Sequence, residues 1–95
     1  MIKRYELSND GCEIKGLTSY GQFRREYREN IIKGIDGKGF AESYTIFNIN
    51  NSTIILENQE DNPKSELTIG LNEKLINKTI KQIKSKGFEL EEITR

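Results

Sequence analysis

"FAESYTIFNINNSTIILEN", residues 40–58, decides how this chain is read. Its first half, 40–49, carries Tyr44, Ile46 and Phe47, and its second, 52–58, is rich in β-branched residues. Such side chains pack well on a pleated surface, so both halves are predicted strands. Between them "NINN" (48–51) is turn chemistry, because Asn tolerates left-handed backbone and bonds to its own main chain. A short turn between two strands leaves them antiparallel. The reading therefore starts from an antiparallel sheet.

Toward the C-terminus, "EDNPKS" (60–65) is a second turn, with Pro63 fixing φ and Asn62 favouring turn initiation. "ELTIGL" (66–71) sets Leu67, Ile69 and Leu71 on one side, as a half-buried strand requires. "NEKLINKTIKQIKSKG" (72–87) is a predicted helix that Asn72 caps and Gly87 stops. Leu75, Ile76, Thr79, Ile80 and Ile83 form its apolar stripe, and Lys74, Lys78 and Lys81 lie opposite. "FELEEIT" (88–94) reads as a closing strand.

Toward the N-terminus, "KGIDGKGF" (33–40) holds three of the chain's eight glycines. Before it, "YGQFRREYRENIIK" (20–33) places Tyr20, Phe23, Tyr27 and Ile31 on one helical face, with Thr18 or Ser19 as cap and Gly34 as stop. On this reading the glycine loop leaves a helix C-terminus, whose partial negative charge repels phosphate. Its spacing also matches neither phosphate-loop pattern. It is expected to be a helix stop and a tight turn at Asp36–Gly37; the alternative is a flexible loop that contacts a partner, with Lys38 exposed at its tip. "IKRYEL" (2–7) and "CEIKGL" (12–17), joined by "SNDG", read as a hairpin.

The expected order is β-β-α-β-β-β-α-β over residues 1–95, a single small α+β domain. A mostly antiparallel sheet with both helices packed on one face covers both apolar stripes. Ile, Leu and Phe supply 25 of 95 residues, above the ~20% level below which chains tend to stay disordered.

Composition narrows the chemistry. Fifteen basic and fifteen acidic residues give a net charge of zero, so no global field of one sign recruits nucleic acid or anionic membrane. Histidine is absent, which removes the usual general base near neutral pH and the commonest metal ligand. Cys12 is the single cysteine, so no internal disulfide forms. It reads as a small core residue, and a lone Cys without His builds no structural zinc site. No secretory leader is seen, and no apolar run approaches membrane length. The expectation is a cytoplasmic protein with no catalytic residues, no metal and no cofactor.

Two charged features remain as candidate binding surfaces. Lys74, Lys78 and Lys81, with Lys84 and Lys86 nearby, make a basic helix face, and Arg24, Arg25 and Arg28 make a second basic group. Glu57, Glu60 and Asp61, and separately Glu89, Glu91 and Glu92, make two acidic segments. The binding residues chosen are Lys74, Lys78, Lys81, Arg25, Arg28, Glu89 and Glu91. The expected function is a binding protein that inhibits or regulates a host or cognate protein, the acidic segments forming a patch for a basic partner. The alternative is a nucleic-acid-binding module that uses the lysine face of the second helix. Self-association through an uncovered sheet edge is also open. Abundant Ile, Lys and Asn with a single Ala point to A/T-rich codons, hence to a bacterial, phage or mobile-element gene. The base composition of the coding DNA decides that point.

Overall fold

Strand-forming and helix-forming segments separate along the chain as their periodicities require, and one of them changes identity. The computed structural model describes residues 2–9, 18–35, 43–58, 65–70 and 73–94. The strands are β1 (Ile2–Ser8), β2 (Ile31–Ile35), β3 (Ser43–Ile49), β4 (Ser52–Asn58), β5 (Ser65–Gly70) and β6 (Glu89–Glu92). The helices are α1 (Ser19–Glu26) and α2 (Glu73–Ser85), with a 3-10 turn over Arg28–Asn30. Together they form one compact α+β domain with two helices on one face of a six-stranded sheet.

The quoted hairpin forms as its residues dictate. Ile49 pairs with Ser52, so only Asn50 and Asn51 turn the chain, both at positive φ (54° and 61°). Two consecutive left-handed residues match the right-handed twist of the strands they join. The sheet runs β2-β3-β4-β5-β1-β6, with every neighbouring pair antiparallel. β1 thus lies between β5 and β6, and α2 carries the chain across it.

One face of the sheet is apolar because alternate residues turn the same way. Tyr5, Leu7, Phe47, Ile49, Ile54, Leu56, Leu67 and Ile69 are all buried on it. α1 closes one part of this face. Thr18 caps it by accepting from the Gly21 amide at 3.1 Å, as expected of a Thr at that position. Phe23 is fully buried and touches the rings of Tyr27, Phe47 and Phe88 at centroid distances of 4.7, 5.0 and 5.4 Å. Two buried hydroxyl pairs pin the helix to the sheet: Ser19 with Ser65 at 2.7 Å and Tyr20 with Thr45 at 2.8 Å. Eight residues are too few for a stable isolated helix, so this packing holds α1 in place.

α2 closes the rest. Ile76, Thr79 and Ile83 are fully buried, one turn and then two turns along the same stripe. Gly87 ends the helix at φ 99°, with its amide bonded to the Lys84 carbonyl at 3.1 Å. That is the left-handed stop expected from the sequence. Gln82 accepts from Asn50 at 2.6 Å, which ties the helix to the β3–β4 turn.

The first helix is shorter than its periodicity suggests. Tyr27 leaves helical geometry at φ −109°, ψ 30°, and Ile31–Ile35 forms strand β2 on the sheet edge. Its Ile31 pairs with Phe47, and the Asn30 side chain donates to the Asn48 carbonyl at 3.0 Å. Ile31 therefore reaches the core from a strand, where its β-branch is favoured. Gly34 pairs with Thr45 inside β2 and stops no helix. The glycine loop accordingly joins two antiparallel strands. The helix-end repulsion therefore does not apply to it. Residues 36–42 lie outside the described residues, as do Cys12 and the strand expected over 12–17.

Candidate functional site: a glutamate row and a lysine stripe

The face of the sheet away from the helices collects acid. Alternation puts Glu6 on the side opposite Tyr5 and Leu7, and Glu66 opposite Leu67. The register then aligns them. Glu91 pairs with Glu6, Glu6 with Glu66, and Glu66 with Glu57. Four glutamates from four adjacent strands thus form one cross-strand row, about 14 Å from end to end at ordinary strand spacing. Tyr44 continues the row on β3, and Glu89 lies one pleat further, opposite Ser8. Glu57 and Glu91 are exposed and Glu66 is buried.

Like charges directly opposite in a sheet repel, at roughly 0.2–1 kcal/mol per pair. Arg4, two residues from Glu6 on the same face, donates to the buried Glu66 carboxylate. Glu57 and Glu91 make no ion pair among the described residues. On the other face, Glu92 opposes Tyr5 and is 3.5 Å from Lys3. Burial and the nearby Glu92 charge raise the Tyr5 pKa.

The helix layer carries the opposite sign. Residues 18–30 and 73–87 contain eight Lys and Arg against three Glu. Lys74, Lys78, Lys81 and Lys84 are all exposed on α2, and the first three make no ion pair among the described residues. On α1, Arg24 lies 5.7 Å from the centre of the Tyr20 ring, while Arg25 and Arg28 are exposed. Lys86 bonds to Glu26 at 3.2 Å, joining the C-terminal ends of the two helices. Tyr27 lies beneath, its pKa pushed up to about 12 by burial and then by the Glu26 charge.

The chosen residues thus divide between two faces: Lys74, Lys78, Lys81, Arg25 and Arg28 on the helix side, Glu91 and Glu89 on the sheet side. Sequence reading missed Glu6 and Glu66, although the alternation with Tyr5 and Leu67 marked both as facing away from the core. Glu60 and Asp61 lie outside the described residues. Among the described residues no group of three or more acids is placed to hold a metal ion, and no helix is long and apolar enough to cross a membrane. A groove of about 400 Å³, open to solvent, is lined by Ile2, Lys3, Arg4, Glu92, Ile93 and Thr94. Its two cations are the ones already engaged by Glu92 and Glu66. Comparison with known families, with curated proteins and with solved structures yields no match to this chain.

Proposed function

We propose that this chain is a cytoplasmic, non-catalytic binding protein that inhibits or regulates a host or cognate protein, and that the glutamate row is the surface it uses. The single observation behind this reading is the register that sets Glu91, Glu6, Glu66 and Glu57 side by side. Acid at a sheet edge has a simpler purpose, since it discourages stray strand pairing. That purpose accounts for Glu89, Glu91 and Glu92 on the edge strand β6. It does not account for Glu66 and Glu57, which sit on the interior strands β5 and β4. A basic partner surface would offset the repulsion along the row and would be steered to it by the same field. A second copy is disfavoured at β6, where acid would meet acid, so self-association is confined to the β2 edge and its exposed Ile32.

The test uses immobilised polylysine as a cationic surface and a lysate of the source organism as the supply of partners. Wild type is expected to be retained on polylysine at low salt and to carry a basic protein out of the lysate. The Glu57→Gln/Glu91→Gln variant is expected to lose both. Equal retention of variant and wild type would remove the row from the binding surface and the proposal with it.

A further inference from the structure

We propose that the helix layer, on the far side of the molecule from the glutamate row, is a sequence-independent docking surface for the phosphate backbone of duplex DNA. This inference is separate from the sheet-face reading, and either can fail without the other. It starts from how α2 is charged. Lys74 and Lys78 are four residues apart, Lys78 and Lys81 three, Lys81 and Lys84 three. Each of these pairs is adjacent on the helix surface, and like charges so placed destabilise a helix. A merely solvated face usually interleaves Glu with Lys at these spacings, which stabilises it instead. Here Glu73 is the only acid of α2, at its first residue. The stripe therefore concentrates positive charge at a cost to the helix.

The packing fixes where that charge points. Ile76, Thr79 and Ile83 are fully buried, so α2 has no freedom to roll about its axis. Lys74 to Lys84 then spans about 15 Å of exposed helix at the α-helical rise. The zero net charge of the chain does not oppose this surface, because the glutamate row lies across the sheet from it and the helix layer holds eight Lys and Arg against three Glu. The molecule measures 37 × 31 × 26 Å, and screening at physiological salt acts within about 8 Å. A polyanion at the helix layer is therefore largely shielded from the glutamates.

The surroundings select the kind of polyanion. Single strands bind by stacking bases on aromatic rings. The aromatic residues of α1, Tyr20, Phe23 and Tyr27, are 7%, 0% and 4% exposed, so they offer no such platform. A lipid surface takes up the apolar face of an amphipathic helix, and that face of α2 is already in the core. Duplex RNA has a deep, narrow major groove closed to a helix, whereas that of B-form DNA is wide enough to admit one. A rigid row of lysines without exposed rings fits the phosphates that flank such a groove.

The experiment is fluorescence anisotropy of a fluorescein-labelled, mixed-sequence DNA duplex about two helical turns long, titrated with the whole chain. Four phosphate contacts from Lys74, Lys78, Lys81 and Lys84 predict a slope of about −3.6 in log K against log salt. Affinity should then fall roughly 100-fold between about 50 and about 200 mM salt. Lys78→Glu/Lys81→Glu should weaken binding at least tenfold and flatten the slope by about 2, while Lys78→Arg/Lys81→Arg keeps both. Circular dichroism checks that each variant is folded, with Lys78→Gln/Lys81→Gln as the substitute where the charge reversal is not. No binding at the lowest salt, a variant that binds like wild type, or equal affinity for a single strand or for phosphatidylglycerol vesicles would each overturn the proposal.

Discussion

The two faces of the sheet are built to opposite rules. The face under the helices places apolar side chains opposite one another: Tyr5, Leu67 and Leu56 lie in one row, and Ile69, Ile54 and Phe47 in the next. On the other face, the row beside Tyr5, Leu67 and Leu56 is Glu6, Glu66 and Glu57. The first face is packed with apolar contacts, and the second sets like charges side by side. The lesson is that apolar packing is concentrated on one side, while the other combines like-charge neighbours with the Arg4–Glu66 tie. The repulsion along the row is small enough for the core to absorb.

The largest expected effect tests whether the inner face really holds the fold. Phe23→Ala removes the ring on which three other rings converge, and unfolding in urea should show a loss of about 3–5 kcal/mol. Tyr44→Ala, at the end of the glutamate row and 36% exposed, should cost no more than about 1 kcal/mol. A Tyr44→Ala loss as great as that of Phe23→Ala would mean that the outer face is a second core.

Next in size is the tie from Arg4 to Glu66 in the acidic row. Arg4→Ala removes a cation from the buried Glu66 carboxylate, and should destabilise the chain by about 1–3 kcal/mol. Adding Glu66→Gln to that variant should restore most of the loss, because a neutral amide is cheaper to bury. If it restores nothing, Arg4 acts by packing and the row bears no buried charge.

A third measurement concerns Tyr27 on the inner side. Its phenol titrates near 12 in the folded chain and near 10 when unfolded. Between those values the unfolded state has lost the proton that the folded state still holds, so stability falls as pH rises from 10 through 12. Tyr27→Phe should make that part of the stability profile shallower, leaving the decline that comes from Tyr5, and leave the region below pH 10 unchanged. An unchanged decline would place the titration elsewhere.

The smallest effect carries the opposite sign. Glu57→Gln/Glu91→Gln should raise stability by roughly 0.2–1 kcal/mol at low salt, since it removes like-charge neighbours. The gain should shrink as salt rises, because exposed charges are screened. A variant that is less stable than wild type would show that the row helps to hold the fold, and the contrast between the faces would disappear.

Much of this was legible in the residues. The β3–β4 turn, the strand at 52–58, the extent of α2 and its stop at Gly87 all follow from local spacing and from side chains that favour one backbone state. The first helix was only half legible. The 3.6-residue spacing of Tyr20, Phe23, Tyr27 and Ile31 holds, yet Ile31 meets the core from β2. Spacing reports which residues face inward and does not report the backbone that delivers them; pairing with β3 made that choice. The acidic segments were visible as composition, but Glu6 and Glu66 were not seen as part of them, because each stands alone in its own strand.

By itself, then, the sequence determined the character of most described segments: which runs alternate, which wind, where Asn50, Asn51 and Gly87 let the chain reverse. These depend on neighbours a few residues away. Only the tertiary structure decided that β1 is inserted between β5 and β6, and so that positions 6, 57, 66 and 91 stand shoulder to shoulder. The reason is physical. Alternation is a property of one strand, whereas the identity of the strand beside it is settled by how helices and sheet together bury the most apolar surface.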